Sequence, residues 1–203
     1  MPTPIQLQVG EQLSLASNTL VVSRAGANAE SVVQELHGRY YETVYRGHMF
    51  SAANQAAQAV SVALTTTYTG LALYNPPNSG FNLVPNKVKF ALSAAPAAVA
   101  TIGLIQGFSA TGGVTAQTTP LTVINNKIGS AKGVGIALSA ATIVTPTWMF
   151  ELADGFTALS LPAPSPPYDL EGAIVIAPGG FLAIGALTAI TGLGAIFWEE
   201  VPV

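Results

Sequence analysis

From residue 51 onward the chain is broken about every ten residues by clusters of Gly, Pro, Asn and Ser, and no helical period runs between the breaks. The intervening pieces are short and rich in Val, Ile, Leu, Thr and aromatic residues, types that suit a pleated, half-buried surface. Strands are expected over 61–68, 71–74, 81–84, 87–92, 99–108, 121–124, 133–138, 142–150, 156–161, 173–176, 181–187 and 193–199. The run Asn75-Pro76-Pro77-Asn78-Ser79-Gly80 is turn chemistry, because Pro presets φ while Gly and Asn tolerate positive φ. Pro162-Ala163-Pro164-Ser165-Pro166-Pro167 reads as a stiff extended connection. The expectation is a mostly β chain, with a single jelly-roll or β-sandwich domain over residues 51–203.

Residues 1–50 have another texture. Ile5, Leu7 and Val9 alternate, as do Leu13 with Leu15 and Leu20 with Val22, which fits short strands or an extended arm laid on another surface. A helix is expected over 28–46, capped by Asn28 or Ser31, with Val32, Val33, Leu36 and Tyr40 forming its apolar stripe. Gly38 inside that pattern costs about 1 kcal/mol relative to Ala. This region therefore reads as an N-terminal extended arm or adaptor with a short helix, leading into the β domain.

Charge is scarce. Asp, Glu, Lys and Arg make up 8% of the 203 residues, against roughly a quarter in ordinary soluble domains. A solitary soluble protein carries more charge than this to keep its neighbours apart. Much of the surface is therefore expected to be covered by other chains. Between residues 51 and 150 the charges are Lys87, Lys89, Lys127 and Lys132; from 151 onward they are Glu151, Asp154, Asp169, Glu171, Glu199 and Glu200. A basic middle and an acidic end could meet across subunit boundaries, or the lysines could simply keep strand edges apart. No basic cluster forms, so nucleic acid is not an expected partner.

Residues 172–198 carry no charge and are long enough to cross a bilayer. Pro178-Gly179-Gly180, Gly185, Gly192 and Gly194 interrupt them, and acids rather than Lys or Arg flank them. Two paired strands, greasy on both faces, are expected instead, and no membrane association. The first residues lack a basic stretch followed by an apolar core, so no signal peptide is expected.

Catalytic patterns do not assemble. The chain has no cysteine, and His37 and His48 fall short of the three or four ligands a zinc site takes. No Gly-x-Ser-x-Gly elbow occurs. Glu199 and Glu200 point to opposite faces of a strand. Asp169 and Glu171 could share a face and flank a glycosidic bond, but their Pro-rich setting reads as a polar loop rim. No enzyme activity and no cofactor or metal are expected. Arg39, Tyr40, Tyr41, Tyr45, Arg46 and Phe50 form the one cluster with the chemistry of an interface anchor, although such rings also pack well on their own domain. Phe181, Leu182, Leu187, Leu193, Phe197 and Trp198 are the expected self-association residues.

The segments Gly38-Arg39-Tyr40-Tyr41, Tyr45-Arg46-Gly47 and Phe50-Ser51-Ala52-Ala53-Asn54-Gln55 resemble tailed-bacteriophage virion proteins. So do Tyr68-Thr69-Gly70-Leu71-Ala72-Leu73-Tyr74-Asn75-Pro76 and the ending Trp198-Glu199-Glu200-Val201-Pro202-Val203. The resemblance covers most of residues 38–203 and leaves 1–37 outside. It implies a non-enzymatic jelly-roll subunit, a homotrimer, that decorates or cements a phage capsid. Its partners would be itself and the major capsid protein, and its place the capsid exterior of a virion assembled in the host cytoplasm. The family offers no catalytic residues. The other reading is a tail-fibre or spike module that binds host-surface carbohydrate, which requires an exposed aromatic groove.

Overall fold

The computed structural model describes residues 38–62, 64–156 and 168–203. Over them the chain forms a one-turn helix, α1 (Tyr41–Tyr45), and strands β1 (Met49–Ala53), β2 (Gln58–Val60), β3 (Thr67–Tyr74), β4 (Phe81–Leu92), β5 (Ala100–Phe108) and β6 (Thr115–Ala116). These are followed by β7 (Ile124–Asn125), β8 (Ile136–Thr142), β9 (Thr147–Phe156), β10 (Tyr168–Asp169), β11 (Gly180–Ala186) and β12 (Ile190–Pro202). The strands build two six-stranded antiparallel sheets packed as a β-sandwich. Sheet one runs β10-β4-β12-β1-β7, with β2 also paired to β12; sheet two runs β6-β8-β3-β11-β5-β9. Most connections switch sheets, so strands adjacent in sequence usually face each other across the core.

The two longest-buried strands show why. In β11 every residue is buried, as expected for a central strand covered on both sides. In β12 buried and more open positions alternate, with Ile196 and Trp198 pointing inward. They were expected to pair, but β11 lies between β3 and β5 while β12 lies between β4 and β1. A short turn joins strands in different layers, and their apolar faces meet instead of their edges. Contact is close: a Cβ at Gly194 of β12 would sit 3.0 Å from Ile184 Cδ1 and 3.1 Å from Leu71 Cβ. Leu71, Leu73, Leu104, Leu182, Ile184, Ile196 and Trp198 fill this inter-sheet core, each contributing about 1.5–3 kcal/mol on burial.

Sheet two carries a second apolar layer on its outer side. Tyr68, Ala72, Tyr74, Ile105, Leu138, Phe181 and Ala183 form it, and Val114, Ile143, Val144 and Trp148 close over it. Gly103 and Gly185 are direct cross-strand partners, and the Trp148 indole lies over both. A Cβ at Gly103 would meet Trp148 Cζ2 and the Phe150 carbonyl oxygen, each at 2.5 Å; one at Gly185 would meet Trp148 Cζ3 at 3.0 Å. Two side chains are missing where one indole needs room. Nearby, β3 is interrupted by an irregularity between Thr69 and Ala72, where Gly70 adopts φ +125°, a conformation that only glycine takes readily. The bulge lets the Tyr68 hydroxyl reach two carbonyl oxygens, Leu71 at 2.9 Å and Ile184 at 2.8 Å.

Several expected boundaries shift. Of the helix expected over 28–46, residues 28–37 lie outside the described residues, Gly38 to Tyr40 are not helical, and only Tyr41–Tyr45 is. It ends where Gly47 takes φ +79°. Of the strand expected over 61–68, Ser61, Val62 and Leu64 to Thr66 are not in a strand despite their β-branched content; β3 begins at Thr67 and includes the piece expected at 71–74. The two strands expected at 81–84 and 87–92 are one, because Pro85 sits in β4 at the irregularity opposite Trp198, where the ladder bond that its nitrogen cannot make is not required. Residues 173–176 contribute a single bridge, Ile176 to Leu83. The expected arm at 1–24 and the pieces at 157–161 and 162–167 lie outside the described residues.

Two measurements test this account. Gly103→Ala should cost about 1–3 kcal/mol in urea unfolding, since backbone as well as indole blocks the new methyl. Burial pushes the Tyr68 phenol far above its ordinary range. The unfolded state alone then loses that proton as pH rises past about 10, so stability should fall there. A spectrophotometric titration should find Tyr68 ionising only on unfolding.

Candidate functional site

Pairing partners in a sheet share a face, so the β4·β12·β1 register defines the outer side of sheet one. Phe197 is opposite Lys87 and Ser51, Ala195 opposite Lys89 and Ala53, and Leu193 opposite Ala91. Leu193, Phe197 and Val201 are 41%, 38% and 39% exposed. This face has a mostly apolar centre row along β12, broken by the half-buried Glu199, with two lysines beside it on β4.

Helix α1 lies against one end of that face. The Tyr40 ring, just before the helix, sits under the Lys87 ammonium at 5.1 Å, and the helix's Tyr45 ring under Lys127 at 5.0 Å, the cation–π arrangement that favours an aromatic ring beneath a charge. The Tyr40 hydroxyl donates to Asp169 Oδ1 at 3.3 Å. Between helix and sheet is a groove of about 510 Å³ lined by Tyr40, Val44, Met49, Asn86, Lys87, Lys89, Asn126, Ala195 and Phe197. Asn126 is held by the Ser51 hydroxyl, which donates to its Oδ1 at 2.8 Å. A second hollow, of about 400 Å³, includes Phe108, Met149 and Val175 and has no charged residue in its lining.

The expected contact residues separate into two groups. Tyr41 stacks on Tyr45 at 6.0 Å, Arg46 reaches Glu42 at 3.4 Å on the surface, and Arg39 is exposed. Phe50 is not available to a partner: it is buried against Trp198, ring centroids 6.1 Å apart. Among the expected self-association residues, Phe181, Leu182 and Trp198 are buried in this chain's own cores, because their strands are central. Leu187, Leu193 and Phe197 are exposed. One pair from the basic middle and the acidic end are neighbours within the chain: Asp169 is the β10 ladder partner of Lys87.

Glu200 is the buried charge that period-two reading of Trp198 and Glu200 would have placed inside. Its carboxylate accepts the Val134 N–H at 3.0 Å, the Gly135 N–H at 2.9 Å and the Trp198 indole N–H at 3.2 Å. Successive backbone N–H groups make an anion-binding concavity, and Gly133 leaves room for it: a Cβ there would collide with the carboxylate. The site is a structural clasp, closing the 133–135 segment onto the last strand. Asp169 and Glu171 are exposed, with the Glu171 N–H directed at Asp169 Oδ1 at 3.3 Å. His48 is exposed and His37 lies outside the described residues. Among the described residues no three His, Asp or Glu side chains gather as metal ligands, and no helix is long and apolar enough to cross a membrane.

Comparison with known protein families, with curated proteins and with solved structures finds no match.

Glu200→Gln should destabilise the fold by about 1–3 kcal/mol, because an amide group replaces one acceptor and faces buried donors. Glu200→Ala should cost more. Urea denaturation of both variants measures this.

Proposed function

We propose that this chain is a non-enzymatic structural subunit of a bacteriophage virion, a capsid cement or decoration protein that self-associates and braces the capsid lattice. The observation that carries this reading is the outer face of sheet one, where Leu193, Phe197 and Val201 stand exposed along the central strand. An exposed sheet face with apolar side chains along its central strand is suited to a broad protein contact. Its lysines, Lys87 and Lys89, supply complementarity to an acidic partner and orientation rather than bulk affinity. The sequence resemblance in Tyr68-Thr69-Gly70-Leu71-Ala72-Leu73-Tyr74-Asn75-Pro76 and in the last six residues supports the virion assignment. The β-sandwich is compatible with it, though many functions use such a fold.

In this reading the major capsid protein is the partner, the oligomer is a trimer, and the location is the capsid exterior. Sedimentation of the purified protein should give an oligomer, and the protein should pellet with capsid shells. Leu193→Asp combined with Val201→Asp should yield monomers with near-native thermal stability, since both side chains face outward. A wild-type protein that sediments as a monomer and stays in the supernatant of every shell preparation would rule the assignment out.

A further inference from the structure

The groove between α1 and sheet one shares Lys87, Lys89 and Phe197 with the open face, and it has a chemistry suited to a ligand smaller than a protein. Its nine lining residues are too few for a stable protein interface, which takes roughly 20–30 residues a side. Its volume, about 510 Å³, falls within the roughly 300–1,000 Å³ of small-molecule sites. Val44, Met49, Ala195, Phe197 and the Tyr40 ring give it apolar walls, and none of the lining residues is an acid.

Both charged lining residues are cations, and both stand at one side. Lys87 and Lys89 are two apart on β4, so they project from the same face. Lys87 is further fixed by the Tyr40 ring beneath it. Asn86 adds a carboxamide on the same strand, and Asn126 one across the groove, on the β1 side. An apolar trough with a paired cationic rim is complementary to a molecule with an alkyl or aryl body and an anionic head.

We propose that this groove binds a small amphiphilic carboxylate, its head against Lys87 and Lys89 and its body along Val44, Met49, Ala195 and Phe197. A carboxylate has two acceptor oxygens and so can engage both ammonium groups at once. The body displaces water from the Phe197 ring and the Ala195 methyl. Recognition is by charge and apolar length, with no covalent step.

Isothermal titration of the full chain with dodecanoate, kept below its micelle concentration, tests this. The expected result is saturable one-to-one binding. Lys87→Gln with Lys89→Gln should weaken it about tenfold or more, the factor of one charge-assisted contact. Dodecanol should bind more weakly than dodecanoate by a similar factor. Ala195→Trp, which fills the trough, should abolish binding while circular dichroism shows the native spectrum. Absence of saturable dodecanoate binding overturns the proposal. So does equal binding by dodecanol, or by the double glutamine variant.

Discussion

The packing of β11 against β12 is the constraint from which the rest of the architecture follows. Each is central in its own sheet, and each has a neighbour on both sides. The glycine at 194 lets Ile184 and Leu71 approach the β12 backbone, and Trp198 fills the space beside Phe50 on the same inner face. Interiors packed to this density transmit any change in side-chain volume to their neighbours. Strands in the middle of the two layers therefore fix the spacing of the sandwich, and edge elements such as β6, β7 and β10 can be only two residues long.

Sparse charge is accommodated differently on the two outer faces. The strands β3, β5, β6, β8 and β11 contain no charged residue at all. Their outer side stays dry because the chain folds its own segments over it, with Trp148, Val114 and Val144 as the cover. Sheet one instead leaves its outer side open, and there the lysines of β4 stand beside the apolar line of β12. Low charge alone thus argues for burial but not for burial by other chains: half of that demand is met inside the molecule. The open face of sheet one retains surface for a partner.

Legibility in the sequence followed the range of the interaction responsible. Turn chemistry at Asn75–Gly80 and the β-branched and aromatic runs are local, and they mark the strands of a sandwich well. The pairing of β11 with β5, and of β12 with β4, depends on contacts between distant residues, so adjacency in sequence wrongly paired 181–187 with 193–199. The same locality explains Leu64 to Thr66, where β propensity was overridden because β3 pairs with β8 only from Thr67 onward. The groove was half visible: Tyr40 and Phe197 were singled out, though for separate contacts, but Lys87, Lys89 and Ala195 join them only through sheet register. Phe50 shows the opposite error. An aromatic in a Tyr/Arg cluster looks like an interface anchor until the strand's period turns it inward.

The clasp at Glu200 also bears on how the open face is presented. Charged groups are rarely buried unless they are fully hydrogen-bonded, and this one is met by three N–H donors. Its strand-mates Glu199 and Val201 must then point outward, because alternate residues face opposite ways. One inward carboxylate thus fixes the register of the chain end against β4, where Val201 pairs with Asn82 and Glu199 with Val84. A slip by one residue would bring Val201 to the N–H donors and push Trp198 into water. The cost of such a slip lies on both faces at once, which makes the exposed row on β12 a rigid feature rather than an adaptable one. A partner that docks on this row meets a surface held firmly in place rather than one that adapts to it.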